Sequence, residues 1–196
     1  SKFPSLSEPS PEYNGLTFAE TFGDLAYTMY SHAISLRDLG CSQSPMNAWI
    51  TLNGIETLPL RIERHCSNAL NVAKFLEKHP NVEWVSHAGL ESSPYYEFGK
   101  KFFPKGTGSV FTFGVKGGFE SGIKMLESVD LFSHVANLGD SHSLILHPAS
   151  TTHRQLTDEQ RILAGAGPEV IRLSIGIESV EDIIYDLDQA LKSLKI

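Results

Sequence analysis

Residues 169–178 read Glu169-Val170-Ile171-Arg172-Leu173-Ser174-Ile175-Gly176-Ile177-Glu178. The density of Val, Ile and Leu marks a strand over residues 170–175. Directly after it, Ser179-Val180-Glu181-Asp182 resembles a capping box, in which a serine hydroxyl accepts from a backbone N–H of the first helical turn. Ile183, Ile184, Leu187, Ala190 and Leu191 then recur at helical spacing, so this helix runs almost to the C-terminus with that face inward. A strand followed at once by an amphipathic helix points to a layer of helix on sheet. The strand holds one cation, Arg172. An unpaired buried charge is very costly, so the guanidinium needs a partner. Its planar fork suits a carboxylate held by two parallel hydrogen bonds. Two readings stand at this point: a structural ion pair with Glu169 or Glu178, and a receptor for the carboxylate of a small molecule.

Further upstream, residues 82–86 alternate as a strand, residues 109–115 are rich in β-formers, and residues 143–146 form a short strand stopped by Pro148. Short helices are expected near residues 95–102, at 121–129 and at 131–136. Thr157-Asp158-Glu159-Gln160 is a second capping box, opening a helix that ends near Gly165. Ser44-Pro45 starts a helix with serine as N-cap and proline at the first helical position. Pro59 interrupts it, and a long helix follows over residues 60–78 with Ile62, Cys66, Ala69, Leu70, Ala73 and Leu76 inward. Apolar spacing predicts one more helix over residues 17–39, while the proline- and serine-rich residues 1–15 read as an extended loop. Four short strands joined by connections of varied length give an α/β sandwich, with a mostly antiparallel sheet and helices on one face.

The composition narrows the function classes. With 41% hydrophobic and 20% charged residues, the chain is an ordinary globular one. A formal net charge of −7 and scattered lysines argue against nucleic-acid binding. No apolar run has membrane-spanning length. The two cysteines, Cys41 and Cys66, lack metal-type spacing and read as packing residues in a reducing, cytoplasmic setting. The eight histidines form no convincing ligand pair, so no metal is expected.

Several segments together carry a family likeness. They are Ser44-Pro45-Met46-Asn47-Ala48-Trp49, Gly54-Ile55-Glu56-Thr57-Leu58, Arg64-His65, Asn68-Ala69, Asn137-Leu138-Gly139-Asp140, Leu144 to His153, and Arg172 to Glu178. The pattern resembles the C-terminal part of the Cys/Met-metabolism pyridoxal-phosphate enzymes, over nearly the whole chain. Within that family, Lys2-Phe3-Pro4, Tyr13-Asn14-Gly15 and the asparagine at 137 are most similar to the O-acetylhomoserine sulfhydrylase branch. Family members attach pyridoxal 5′-phosphate to a lysine in a Ser-x-Thr-Lys motif, and no such motif occurs here. Members are also about twice this length, so the expectation is a C-terminal half. It would comprise a loop-plus-helix remnant of the large cofactor domain (residues 1–62) and a small substrate-carboxylate domain (residues 63–196).

The resemblance implies a γ-replacement in which O-acetyl-L-homoserine and sulfide give L-homocysteine and acetate, within methionine biosynthesis. It places the substrate α-carboxylate on Arg172, with Asn137 beside it and Thr152 orienting the arginine. It implies no catalytic residue in this chain, a cofactor bound mainly by the N-terminal half, and a homotetramer built as a dimer of dimers. On its own the chain should be inactive. Three alternatives stay open: a cystathionine γ-synthase-like or methionine γ-lyase-like enzyme of the same family, a non-catalytic carboxylate-binding module, and an oligomerisation module.

Overall fold

The computed structural model describes residues 2–194. The chain divides into two compact units, residues 1–55 and residues 56–196.

The first unit is helical. Pro4–Ser7 forms a single turn, α1, with proline at its start. A bridge from Ser10 to Leu16 closes a tight loop, in which Asn14 and Gly15 both take left-handed conformations. The early segment is therefore more structured than an extended loop. The helix expected over residues 17–39 is broken into α2 (Phe18–Phe22), α3 (Ala26–Tyr30) and a π-helical stretch, Ser31–Asp38. Gly23 explains the first break: its φ of +51° ends α2, and residues with a Cβ rarely adopt that conformation. Phe18 packs edge-on against Tyr13 and Tyr30, and the Tyr13 hydroxyl donates to Asp38 at 2.7 Å. The helix α4 (Pro45–Glu56) follows, and Ser44 Oγ accepts from the Asn47 N–H as its sequence forecasts.

The second unit holds one sheet. It comprises α5 (Leu58–Glu77), β1 (Val82–Ser86), α6 (Tyr96–Phe102), β2 (Val110–Val115), α7 (Gly118–Ser128), β3 (Ser133–His134), β4 (Leu144–Leu146), α8 (Asp158–Leu163), β5 (Val170–Ser174) and α9 (Val180–Lys192). The strand order is β1-β2-β5-β4-β3, antiparallel except for the β3–β4 pair. A mixed α/β architecture with a mostly antiparallel sheet is thus confirmed, with five strands in place of four.

Residues 131–136 do not form the expected helix. The Asp186 carboxylate of α9 accepts the N–H groups of Asp130 and Leu131 at 2.9 Å each, and Ser133 donates its N–H to Ser143 O at 3.0 Å. Those donors are committed to α9 and β4, so the segment runs as an edge strand.

The alternation along β5 sorts its side chains. Ile171, Leu173 and Ile175 join Phe111, Phe113 and Ile145 in the core, with Phe113 paired to Ile171 and Phe111 to Leu173. Ala69, Val72, Ala73 and Leu76 of α5, Met125 of α7, and Ile183, Leu187 and Leu191 of α9 cover that face. Burial of so many large apolar side chains supplies most of the stability of the unit. The buried stripe of α5 differs from the expected one. His65, Asn68 and Val72 are inward, whereas Ile62 is 45% exposed. Two polar residues sit inward because the backbone after β5 needs hydrogen-bond donors there.

Candidate functional site

The other face of β5 carries Val170, Arg172 and Ser174. Arg172 lies across from Thr112 of β2 and Leu146 of β4, on the central strand of the sheet. This position makes its backbone rigid, because both neighbouring strands hydrogen bond to it. The side chain is half-buried, and its Nη2 donates to the Asn137 carbonyl oxygen at 3.3 Å. Val135, Asn137, Leu144, Leu146, Arg172 and Ser174 line a narrow cleft on this face.

Neither glutamate proposed as an ion-pair partner takes that role. Glu178 is occupied: Ser143 N donates to Oε1 at 2.6 Å and Ser143 Oγ to Oε2 at 3.0 Å. Glu169 precedes the strand on the opposite side of the pleat from Arg172. Among the described residues, no carboxylate lies within salt-bridge reach of Arg172. A guanidinium on a rigid strand with no carboxylate partner among the described residues has N–H groups that a carboxylate can accept from.

A network holds the end of β5 in place. Asn68 Nδ2 donates to the carbonyls of Gly176 and Glu178 at 3.1 and 2.9 Å, and Arg64 Nη2 donates to Glu178 O at 3.3 Å. His65 Nδ1 lies 2.6 Å from Ile175 O, so that nitrogen carries the proton. Ser143 Oγ accepts from the Gly176 N–H at 2.9 Å. Gly176 has to be glycine because a Cβ there would collide with the Ser141 carbonyl oxygen and the Glu178 carboxylate. Arg64 and His65 thus both hydrogen bond to backbone carbonyls at the end of β5.

Asn137, Thr152 and several further side chains are placed as follows. Asn137 is exposed, and its Oδ1 accepts from the Leu138 N–H at 2.9 Å, which leaves the carboxamide nitrogen available beside Arg172. Thr152 is exposed and shares a hydrogen bond with His153 Nδ1 at 2.9 Å, and it does not line the cleft. His147 is fully buried, bonded to Ser150 Oγ and to Pro168 O, both at 2.9 Å. Burial pushes it below the ordinary histidine range. Tyr95, Phe102 and Phe103 are each at least 60% exposed and are not packed into the core. Cys41 is exposed and Cys66 half-buried, so only the latter takes part in packing.

Sequence reasoning missed Ser174. Its hydroxyl is buried, lines the cleft, and has no hydrogen-bond partner among the described residues. The available signal was its two-residue spacing from Arg172, which puts both on one face of the strand.

Comparison with known proteins decides the family. The model for the Cys/Met metabolism PLP-dependent enzymes matches residues 14–192. The chain belongs to that family. It is 47% identical over 202 residues to the O-acetyl-L-homoserine sulfhydrylase of Leptospira meyeri, covering 98% of this chain and 46% of that relative. It is 47% identical over 191 residues to the homocysteine synthase of Schizosaccharomyces pombe, covering 97% of this chain and 44% of the relative. A crystal structure from Campylobacter jejuni, assigned as an O-acetylhomoserine (thiol)-lyase and containing N′-pyridoxyl-lysine-5′-monophosphate, superposes with a TM-score of 0.85. The identity is 41%, over 96% of this chain and 45% of that one. The chain thus spans about half the length of the relatives it matches. The cofactor of the family is pyridoxal phosphate. Its covalent anchor is a lysine amine, and none lines the cleft at Arg172. The donors present, a guanidinium and a carboxamide, can hold a carboxylate and cannot form the imine that anchors the cofactor.

Proposed function

We propose that this chain supplies the substrate-carboxylate half of a pyridoxal-phosphate-dependent enzyme that converts O-acetyl-L-homoserine and sulfide to L-homocysteine and acetate. The observation that carries the proposal is the Arg172 guanidinium, carried on the central strand with no carboxylate partner among the described residues. The names borne by the relatives support the reaction assigned. In this reading the cofactor is held by the remainder of the enzyme, which provides the electron sink for charge developing beside the reacting carbons.

The residues of this chain bind and orient. The two N–H edges of Arg172 take the two carboxylate oxygens of the amino acid. The Asn137 carboxamide nitrogen donates to one of those oxygens as well. With its carboxylate fixed, the substrate can turn only about the bonds beyond Cα, so the Cα proton and the Cγ–oxygen bond are presented in one orientation. Such positioning lowers the barrier without any chemistry by the clamp itself. Thr152 enters this scheme only if its hydroxyl leaves His153 to support Arg172.

Steady-state kinetics of the cofactor-loaded enzyme containing this domain test the clamp. Arg172→Ala should lose about 2–4 kcal/mol in kcat/KM for O-acetylhomoserine, mostly through KM. Arg172→Lys should recover only part of it, because a point charge lacks the fork. Kinetics unchanged by both substitutions would remove the carboxylate assignment and leave a structural module.

A further inference from the structure

Ser174 follows Arg172 by two residues on β5, so the two side chains share one face and line the same cleft. The Ser174 backbone is paired on both sides, with Val110 of β2 and Leu144 of β4, which fixes where its Cβ points. Its residue is 3% exposed, and its hydroxyl finds no hydrogen-bond partner among the described residues. A buried hydroxyl without a partner costs free energy in every molecule that carries it. Alanine would fill the same position in the sheet without that cost. Val135, Asn137, Leu144, Leu146 and Arg172 line the same narrow cleft. The side chains lining the cleft are the nearest source of a partner. Val135, Leu144 and Leu146 offer no polar side-chain atom, so the side-chain N–H donors of the cleft are those of Asn137 and Arg172. Of these, Arg172 shares its strand and its face with Ser174, and it has five N–H donors, one of which reaches Asn137 O.

We propose that Ser174 is a positioning residue for Arg172: its hydroxyl oxygen accepts a guanidinium N–H when the fork turns to receive the substrate carboxylate. This rests on the carboxylate-clamp reading above. Among the described residues, the guanidinium donates to Asn137 O. A bound carboxylate takes two N–H groups on one edge of the fork, and Ser174 then holds another edge, keeping the plane fixed. The orphan hydroxyl is satisfied only in the bound state, so its unfavourable contribution before binding becomes a gain in affinity.

A double-mutant cycle on the cofactor-loaded enzyme tests this, with L-norvaline as an unreactive α-amino-acid probe and its C-terminal amide as control. The dissociation constant is read by titration. Ser174→Ala should weaken norvaline about tenfold, equivalent to ~1.4 kcal/mol, and leave the amide unchanged. In an Arg172→Ala background the same substitution should have no effect. Ligand-free Ser174→Ala should melt at the same temperature or higher, which a purely structural serine would not do. Unchanged norvaline affinity in Ser174→Ala would overturn the inference, as would an equal loss in the Arg172→Ala background. If Arg172→Ala itself leaves norvaline binding intact, the clamp reading fails and this inference falls with it.

Discussion

Residues 56–196 and residues 1–55 use apolar side chains in opposite ways. In the second unit, Phe113, Ile171, Leu173, Ile183 and Leu187 are fully buried between the sheet and its helices. In the first, among the described residues, only Phe18 and Ala26 reach comparable burial, and Tyr27, Leu25 and Leu39 stand in the open. On α4, Met46, Trp49, Ile50, Leu52 and Ile55 are each more than half exposed. A unit that closes its own core carries its stability within itself, whereas one that displays its apolar residues is built to be covered. The second unit therefore holds the backbone of Arg172 within its own sheet, which a clamp requires.

The sharpest way to break this contrast is to remove one large side chain from each region. Phe113→Ala should cost about 3–5 kcal/mol in urea unfolding, while Trp49→Ala should stay within about 0.5 kcal/mol in this chain. Equal losses would mean that α4 is packed. A smaller effect is expected at the anchor of β5. Glu178→Ala leaves the N–H and hydroxyl of Ser143 without their acceptor and should cost about 1–3 kcal/mol. Smaller again is the cap of α8. Thr157 and Gln160 form a reciprocal capping box there, and Thr157→Ala should cost about 1 kcal/mol.

Acid should act mainly on the second unit. Burial holds His87 and His147 below the ordinary histidine range. The unfolded chain then takes up protons first as the pH falls through about 6.5, so the unfolding free energy drops with it. Above that range these groups make no pH-dependent contribution. A melting temperature that falls between pH 7 and pH 5, with a shallower slope in His147→Gln, is the expected outcome. A flat profile would mean that neither imidazole is held neutral.

Much of the second unit was legible because its signals are local. The capping residues Thr157 and Ser179, the alternation around Arg172 and the spacing of Ile183, Leu187 and Leu191 each act within a few residues, and the structure follows them. Segment 131–136 was not legible, because its conformation is set by Asp186, more than fifty residues away. The inward turn of His65 and Asn68 is of the same kind, since their partners are the carbonyls of residues 175–178. At the candidate site, Arg172 and Asn137 could be read from motif and chemistry, and the structure puts them in contact. Ser174 stayed hidden because a serine in a strand looks ordinary until its hydroxyl is seen to be buried without a partner.

The account turns on what Arg172 recognises. The most direct measurement is kcat/KM for O-acetyl-L-homoserine and for its carboxamide, on the cofactor-loaded enzyme and on its Arg172→Ala variant. The clamp predicts strong preference for the carboxylate in the parent enzyme and near-equal use of the two compounds in the variant. Preference for the carboxylate undiminished in Arg172→Ala would contradict it.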